Sequence, residues 1–175
     1  ARDNLSLQAF DVRTDGTGVA LTVRLQHHGR TPVPDALVLL SDTRTNAGLD
    51  NISTYRKMFF FENPGERVIV VMTAGSLSVT QTTLARLQEA IEAPDADGTT
   101  SIMRAETMLQ VATIIGNTLN RTRRDITEQC RDLNQQANAS MIVAGQRAGG
   151  TMRLFLIYPE GNFIEATDDT PYLQI

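Results

Sequence analysis

Alternating apolar and polar positions mark the start of the chain as extended. L-S-L-Q-A-F-D-V alternates from Leu5, T-D-G-T-G follows as turn chemistry, and V-A-L-T-V-R-L alternates again, which predicts strand, turn, strand. H-H-G-R-T-P-V-P reads as a loop that leaves His27 and His28 solvent-exposed. A-L-V-L-L-S-D is a continuous apolar run closed by Asp42, the pattern of a buried strand. T-N-A-G-L-D-N then predicts a turn, T-Y-R-K-M-F-F-F a strand, E-N-P-G-E a turn and R-V-I-V-V-M-T-A-G a further strand.

The period changes after Gly75. Ser76 and Ser78 are candidate N-caps for a helix with Leu77, Leu84, Leu87 and Ile91 near one face, ending before the breakers of A-P-D-A-D-G. Thr100 or Ser101 would cap a longer second helix, with Ile102, Met103, Met108, Val111, Ile114 and Ile115 at apolar spacing and Asn138 at its end. A-S-M-I-V-A-G, M-R-L-F-L-I-Y and N-F-I-E-A-T return to strand patterns, separated by Q-R-A-G-G-T and P-E-G. Strands, two adjacent helices and strands again predict an α+β class, not regularly alternating βαβ units.

Composition narrows the function more than the fold. With 16 Lys and Arg against 20 Asp and Glu, the net charge of -4 argues against a phosphate-driven nucleic-acid binder. The single cysteine, Cys130, cannot form an internal disulfide and sits in a polar helical pattern without a cysteine-protease signature. Runs such as V-I-V-V-M are far shorter than the ~20 residues that cross a bilayer, and residues 1–20 lack the apolar core of a secretory signal. The expectation is a soluble cytoplasmic protein without a membrane partner. No metal-ligand spacing, phosphate loop or G-x-S-x-G is present, so no cofactor is implied.

The candidate chemistry lies between two apolar runs. Asp42 closes one, and Lys57 precedes the M-F-F-F of the next, so a chain reversal would bring carboxylate and ammonium together. Such an acid would orient the lysine, and the lysine would lower the proton affinity of a neighbouring hydroxyl or amine. The bland alternative is a strand-end acid and a solvated lysine.

The segments S-D-T-R-T-N-A-G-L-D-N-I-S-T-Y-R-K-M, G-E-R-V-I-V-V-M-T-A-G and R-L-F-L-I-Y-P-E-G-N-F-I-E-A-T-D-D-T-P-Y-L-Q-I resemble Anbu, the bacterial proteasome-related family of N-terminal-nucleophile hydrolases. The likeness runs from about residue 36 to residue 175. It implies an αββα sandwich over residues 35–175, a threonine nucleophile at a mature N-terminus, peptide or unfolded-protein substrates and assembly into a homo-oligomer, for which Met108 and Ile114 on exposed helix faces read as partner surface. In the family the chain continues past the position of Ile175, so the sandwich is expected to be truncated here. By the same resemblance, Asp42 and Lys57 match the acid and lysine of the catalytic site. Thr45 and Asn46 match the segment lining the substrate channel, and Gly75 matches a glycine whose backbone N–H helps hold the oxyanion. Arg44 and Arg56 read as salt-bridge or interface residues and Asp50 as a turn acid.

The nucleophile departs from the family pattern. The family threonine stands sixteen positions before the acid, where this chain has Gln26, and residues 1–34 form an atypical segment read as a propeptide and first strand. Gly16-Thr17 offers a self-cleavage junction of the kind proteasome precursors use. If residues 26–34 form a loop and 17–25 pair with 35–42, Thr17 falls opposite Asp42. Removal of residues 1–16 would free an α-amine, with a reference pKa of about 7.7–8.0, as base for the Thr17 hydroxyl. Thr22 or Thr31 as nucleophile, an ordinary turn residue at Thr17, an altered N-terminus unrelated to the domain's biology, and a noncatalytic scaffold member all stay open.

Overall fold

The nine residues Arg67–Gly75 combine β-branched side chains with a length of about 26 Å end to end, and they become the inner strand on which the rest is assembled. The computed structural model describes residues 4–14, 19–28, 37–43, 54–129 and 137–175, with side chains from 37 onward. Two compact units divide the chain, residues 1–36 and 37–175.

In the first unit, β1 (Asn4–Thr14) and β2 (Val19–His28) pair antiparallel, from Asn4 opposite His28 to Thr14 opposite Val19, with an irregularity between Leu7 and Ala9. The predicted hairpin is therefore formed. The strand runs on through His27 and His28, which were expected in a loop; the cross-strand partners Leu5 and Asn4 extend the ladder that far.

The second unit has a five-stranded antiparallel sheet in sequential order: β3 (Met58–Asn63), β4 (Arg67–Gly75), β5 (Ala139–Arg147), β6 (Arg153–Ile157) and β7 (Phe163–Glu165). Helices α1 (Leu77–Glu92) and α2 (Met108–Gln129) enter between β4 and β5. Odd-numbered positions of β4, β5 and β6, namely Ile69, Val71, Met141, Val143, Phe155 and Ile157, join Val79, Leu87, Val111, Ile115 and Leu119 of the helices in one buried cluster. This period-two selection fixes register, because a one-residue slip would turn all six away from the helices.

Ser76 caps α1, its Oγ accepting from Val79 N at 3.5 Å, and the helix ends at Ala93, ahead of Pro94, as expected. The second helix starts later than the apolar spacing suggested. Ile102 and Ala105 are buried in a turn, and Thr107 caps α2: its Oγ1 accepts from Gln110 N, while Gln110 Oε1 accepts from the N–H groups of Glu106 and Thr107. That reciprocal capping box, T-M-L-Q, outcompetes Thr100 and Ser101. Thr100 instead serves the preceding turn, donating with Thr99 to Asp97 Oδ1. These donors hold the Asp97 carboxyl below its ordinary pKa, the Thr99 hydroxyl contributing most.

Two further expectations are corrected. Met108 and Ile114, read as exposed partner surface, are buried against the sheet, and Leu109 is the exposed apolar residue beside them. Residues 37–43 belong to no strand, although their apolar run predicted one.

Candidate active site

Three local structures converge near the end of β4. Tyr55 N donates to Thr43 O at 2.9 Å, which lays residues 42–43 beside residues 54–57. Met58 lies opposite Met72, and Thr73 N donates to Lys57 O at 2.9 Å, so the backbone before β3 is held to β4 as well. With both segments anchored, Lys57 Nζ meets Asp42 Oδ1 at 2.7 Å. The expected acid–lysine contact is present, but it is made by the residues flanking a strand and not by two paired strands.

The two partners differ in exposure. The Lys57 side chain is 22% exposed and that of Asp42 64%. Solvent screening at the carboxylate limits such a pair to about 1 kcal/mol or less of stability, so the contact orients the ammonium more than it stabilises the fold. The sequence reading also pointed to Thr73 only as part of an apolar strand. It is buried, 4% exposed, and occupies the position of β4 directly across from Lys57. Its place in the alternation Arg67, Ile69, Val71, Thr73 was the available signal.

Gly75 stands two residues further along β4, opposite Ala139 of β5. Its φ of +102° lies where side chains are disfavoured, and an added Cβ would run into Asn138 O and come within 2.9 Å of Ala139 Cα. Ser76 N donates to Asn138 O at 2.8 Å, which fixes the turn from strand into helix. Gly75 thus immediately precedes the N-terminus of α1, where unpaired N–H groups and the helix dipole favour negative charge.

Among the described residues Arg56 pairs with no acid. Its Nε donates to Met58 O at 2.6 Å, and its guanidinium lies 5.3 and 5.7 Å from the ring centres of Phe59 and Phe60, a cation–π arrangement.

Several candidates fall outside the described residues: Gly16, Thr17, Thr31, Arg44, Thr45, Asn46, Asp50 and Cys130. The pairing that set Thr17 opposite Asp42 is overturned in part, because residues 19–25 take their partners from β1, Thr22 facing Asp11, and residues 37–42 form no strand. The physical reason is proximity in sequence: Thr14 and Val19 pair across only four intervening residues, and so short a closure has a low entropic cost. Among the described residues no three of His, Cys, Asp and Glu gather as metal ligands, and no helix is long and apolar enough to cross a membrane.

Comparison with solved structures gives the same region a lineage. Anbu (ancestral beta-subunit) from Yersinia bercovieri is 43% identical with a TM-score of 0.68, over 77% of this chain and 54% of that one. The Anbu (Gly-1) mutant from Hyphomicrobium sp. strain MC1 is 42% identical with a TM-score of 0.66, over 77% and 53%. The chain belongs to the Anbu family. A third Anbu structure, described as a helical assembly of the Anbu complex from Pseudomonas aeruginosa, is 42% identical with a TM-score of 0.67 over 77% and 54%. The chain thus spans about half the length of the Anbu proteins it matches. No protein-family model matches it, and no curated protein does.

Proposed function

We propose that this chain is a subunit of a self-assembled proteasome-type threonine peptidase, cleaving peptide bonds by acyl transfer to a threonine hydroxyl. The single observation that carries the reading is the 2.7 Å contact of Lys57 Nζ with Asp42 Oδ1 in an Anbu-family chain. In the mechanism, the threonine Oγ1 attacks the substrate carbonyl carbon while the α-amine takes the hydroxyl proton. Lys57, oriented by Asp42, lowers the proton affinity of that hydroxyl, and the Gly75 N–H donates to the oxyanion. Collapse breaks the C–N bond, the α-ammonium returns the proton to the leaving amine, and water hydrolyses the ester to release acid and free threonine. Thr45 and Asn46 are assigned to the walls that align the peptide, and Thr17 to the nucleophile, on the Gly16-Thr17 junction alone.

The αββα architecture belongs to this proposal too. Its second sheet would cover what is open on the even-numbered face of the five-stranded sheet, where Phe60 and Val68 are exposed while Val70, Met72 and Ile142 are already buried. Peptides or unfolded proteins are the substrates, and further copies of the chain the partners.

The second reading is a proteasome-fold assembly protein without catalysis. It is favoured by Gln26, which stands sixteen residues before Asp42 where the family has its threonine. Intact mass of purified protein separates the two. A species beginning at Thr17, absent in Thr17→Ala, is expected for the enzyme; a stable chain that retains Ala1 and hydrolyses no peptide supports the scaffold.

A further inference from the structure

The opposite end of the same sheet carries an arginine pair that the peptidase reading does not use. Arg67, first residue of β4, lies directly across from Arg147, last residue of β5. Two cations facing across an antiparallel pair repel, so such a pair needs compensating charge. Arg67 is 6% exposed, and its terminal nitrogens are engaged: Nη1 donates to Ile102 O and Ala105 O at 3.0 Å, and Nη2 meets Glu66 Oε1 at 3.2 Å. Its Nε is buried without an acceptor. Arg147 is less satisfied still. Its Nε is also buried without an acceptor, and it has no side-chain hydrogen bond or ion pair among the described residues.

Arg153, on β6 opposite Gly145 and so two residues along β5 from Arg147, shows how this sheet end treats a compensated arginine. It makes two contacts with Glu165, one of them at 2.6 Å, and that carboxylate raises its pKa. Arg147 has no such counter-ion. Both Arg67 and Arg147 line a groove of about 360 Å³ between the β3–β4 and β5–β6 turns. Gly65 and Gly149 at those turns face open space, so no side chain fills the entrance there.

We propose that this groove binds a small oxyanion, a carboxylate or phosphate, with the Arg147 guanidinium as its principal ligand and the buried charge of Arg67 behind it. A planar guanidinium offers two parallel N–H donors to such a group, and a half-buried arginine without a counter-ion among the described residues attracts an anion. Glu62 and Glu66 line the same groove, which disfavours an extended polyanion and selects a compact one. The site is distinct from the Lys57 region, being about 20 Å away along the six residue steps from Arg67 to Thr73, which lies across from Lys57.

The test is thermal unfolding of the full chain with sodium phosphate or sodium acetate against sodium chloride at matched ionic strength. A saturable rise in melting temperature with phosphate, acetate or both, beyond that with chloride, is expected. Phosphate alone identifies a tetrahedral ligand, and an equal or larger response to acetate identifies a carboxylate. Arg147→Gln should weaken the apparent affinity at least tenfold, and Arg147→Lys, which keeps charge but loses the fork, severalfold. The lysine variant decides the matter if the glutamine variant does not fold. No saturable response in the unmodified chain, or unchanged affinity in the folded variants, overturns the proposal.

Discussion

Lys57 and Gly75 are held by different forces, and the difference sets what each mutation reports. Lys57 is positioned by an ion pair whose acid is largely exposed, whereas Gly75 is positioned by backbone geometry. Gly75→Ala would place a methyl against Asn138 O at φ +102°. It should therefore cost about 1–3 kcal/mol through strain and displacement of β5, measurable as a lower denaturation midpoint. A variant as stable as the parent would mean that the β4–α1 turn adjusts freely. Lys57 itself, though a lone surface-edge lysine by composition, was legible because Asp42 ends one apolar run and Lys57 opens the next. Thr73 was not, since its proximity to Lys57 depends on the β3–β4 register.

At the scale of elements, close backbone approach joins α2 to the turn between β6 and β7. An added Cβ at Gly116 would collide with Gly161 O, and Gly161, at φ +86°, has Gly116 O as its own nearest obstacle. Gly116→Ala raises helix propensity by up to about 1 kcal/mol but should still destabilise, because overpacking typically costs ~1–3 kcal/mol. A rise in melting temperature would contradict that contact. The loop before α2 adds a pH-dependent term. Since the folded pKa of Asp97 is lowered from its ordinary value of 3.8, its contribution is present above that value and is lost as pH falls through the lower folded one. The stability difference between the parent and Asp97→Asn should therefore shrink on acidification below about pH 4 and stay level above about pH 5. A difference that grows on acidification would contradict the Thr99 and Thr100 contacts.

The elements themselves were unevenly legible. Strands β4, β5 and β6 and helix α1 declared themselves through strong periodicity and the Ser76 cap. The start of α2 did not, because Ile102 and Met103 continue the apolar spacing while packing from a turn, and the T-M-L-Q box decides the boundary locally. The run of residues 37–43 has strand composition without strand pairing, which no local pattern reveals. Burial of Met108 and Ile114 likewise required knowing that the sheet lies beneath them.

For the whole molecule, the proposed peptidase rests on family membership and the Asp42–Lys57 contact. A solved Anbu structure is described as a helical assembly, and in this chain Phe60 and Val68 are the exposed large apolar residues on the even-numbered sheet face. The measurement that bears most directly on the account is hydrolysis of a fluorogenic peptide by the parent chain and by Lys57→Ala at matched fold. Because the ion pair contributes about 1 kcal/mol or less to stability, the variant should melt within a few degrees of the parent. The account predicts that it loses at least about a hundredfold in kcat/KM, corresponding to ~2.7 kcal/mol of lost transition-state stabilisation. Equal hydrolysis by parent and variant, or none by a correctly matured parent, would contradict it.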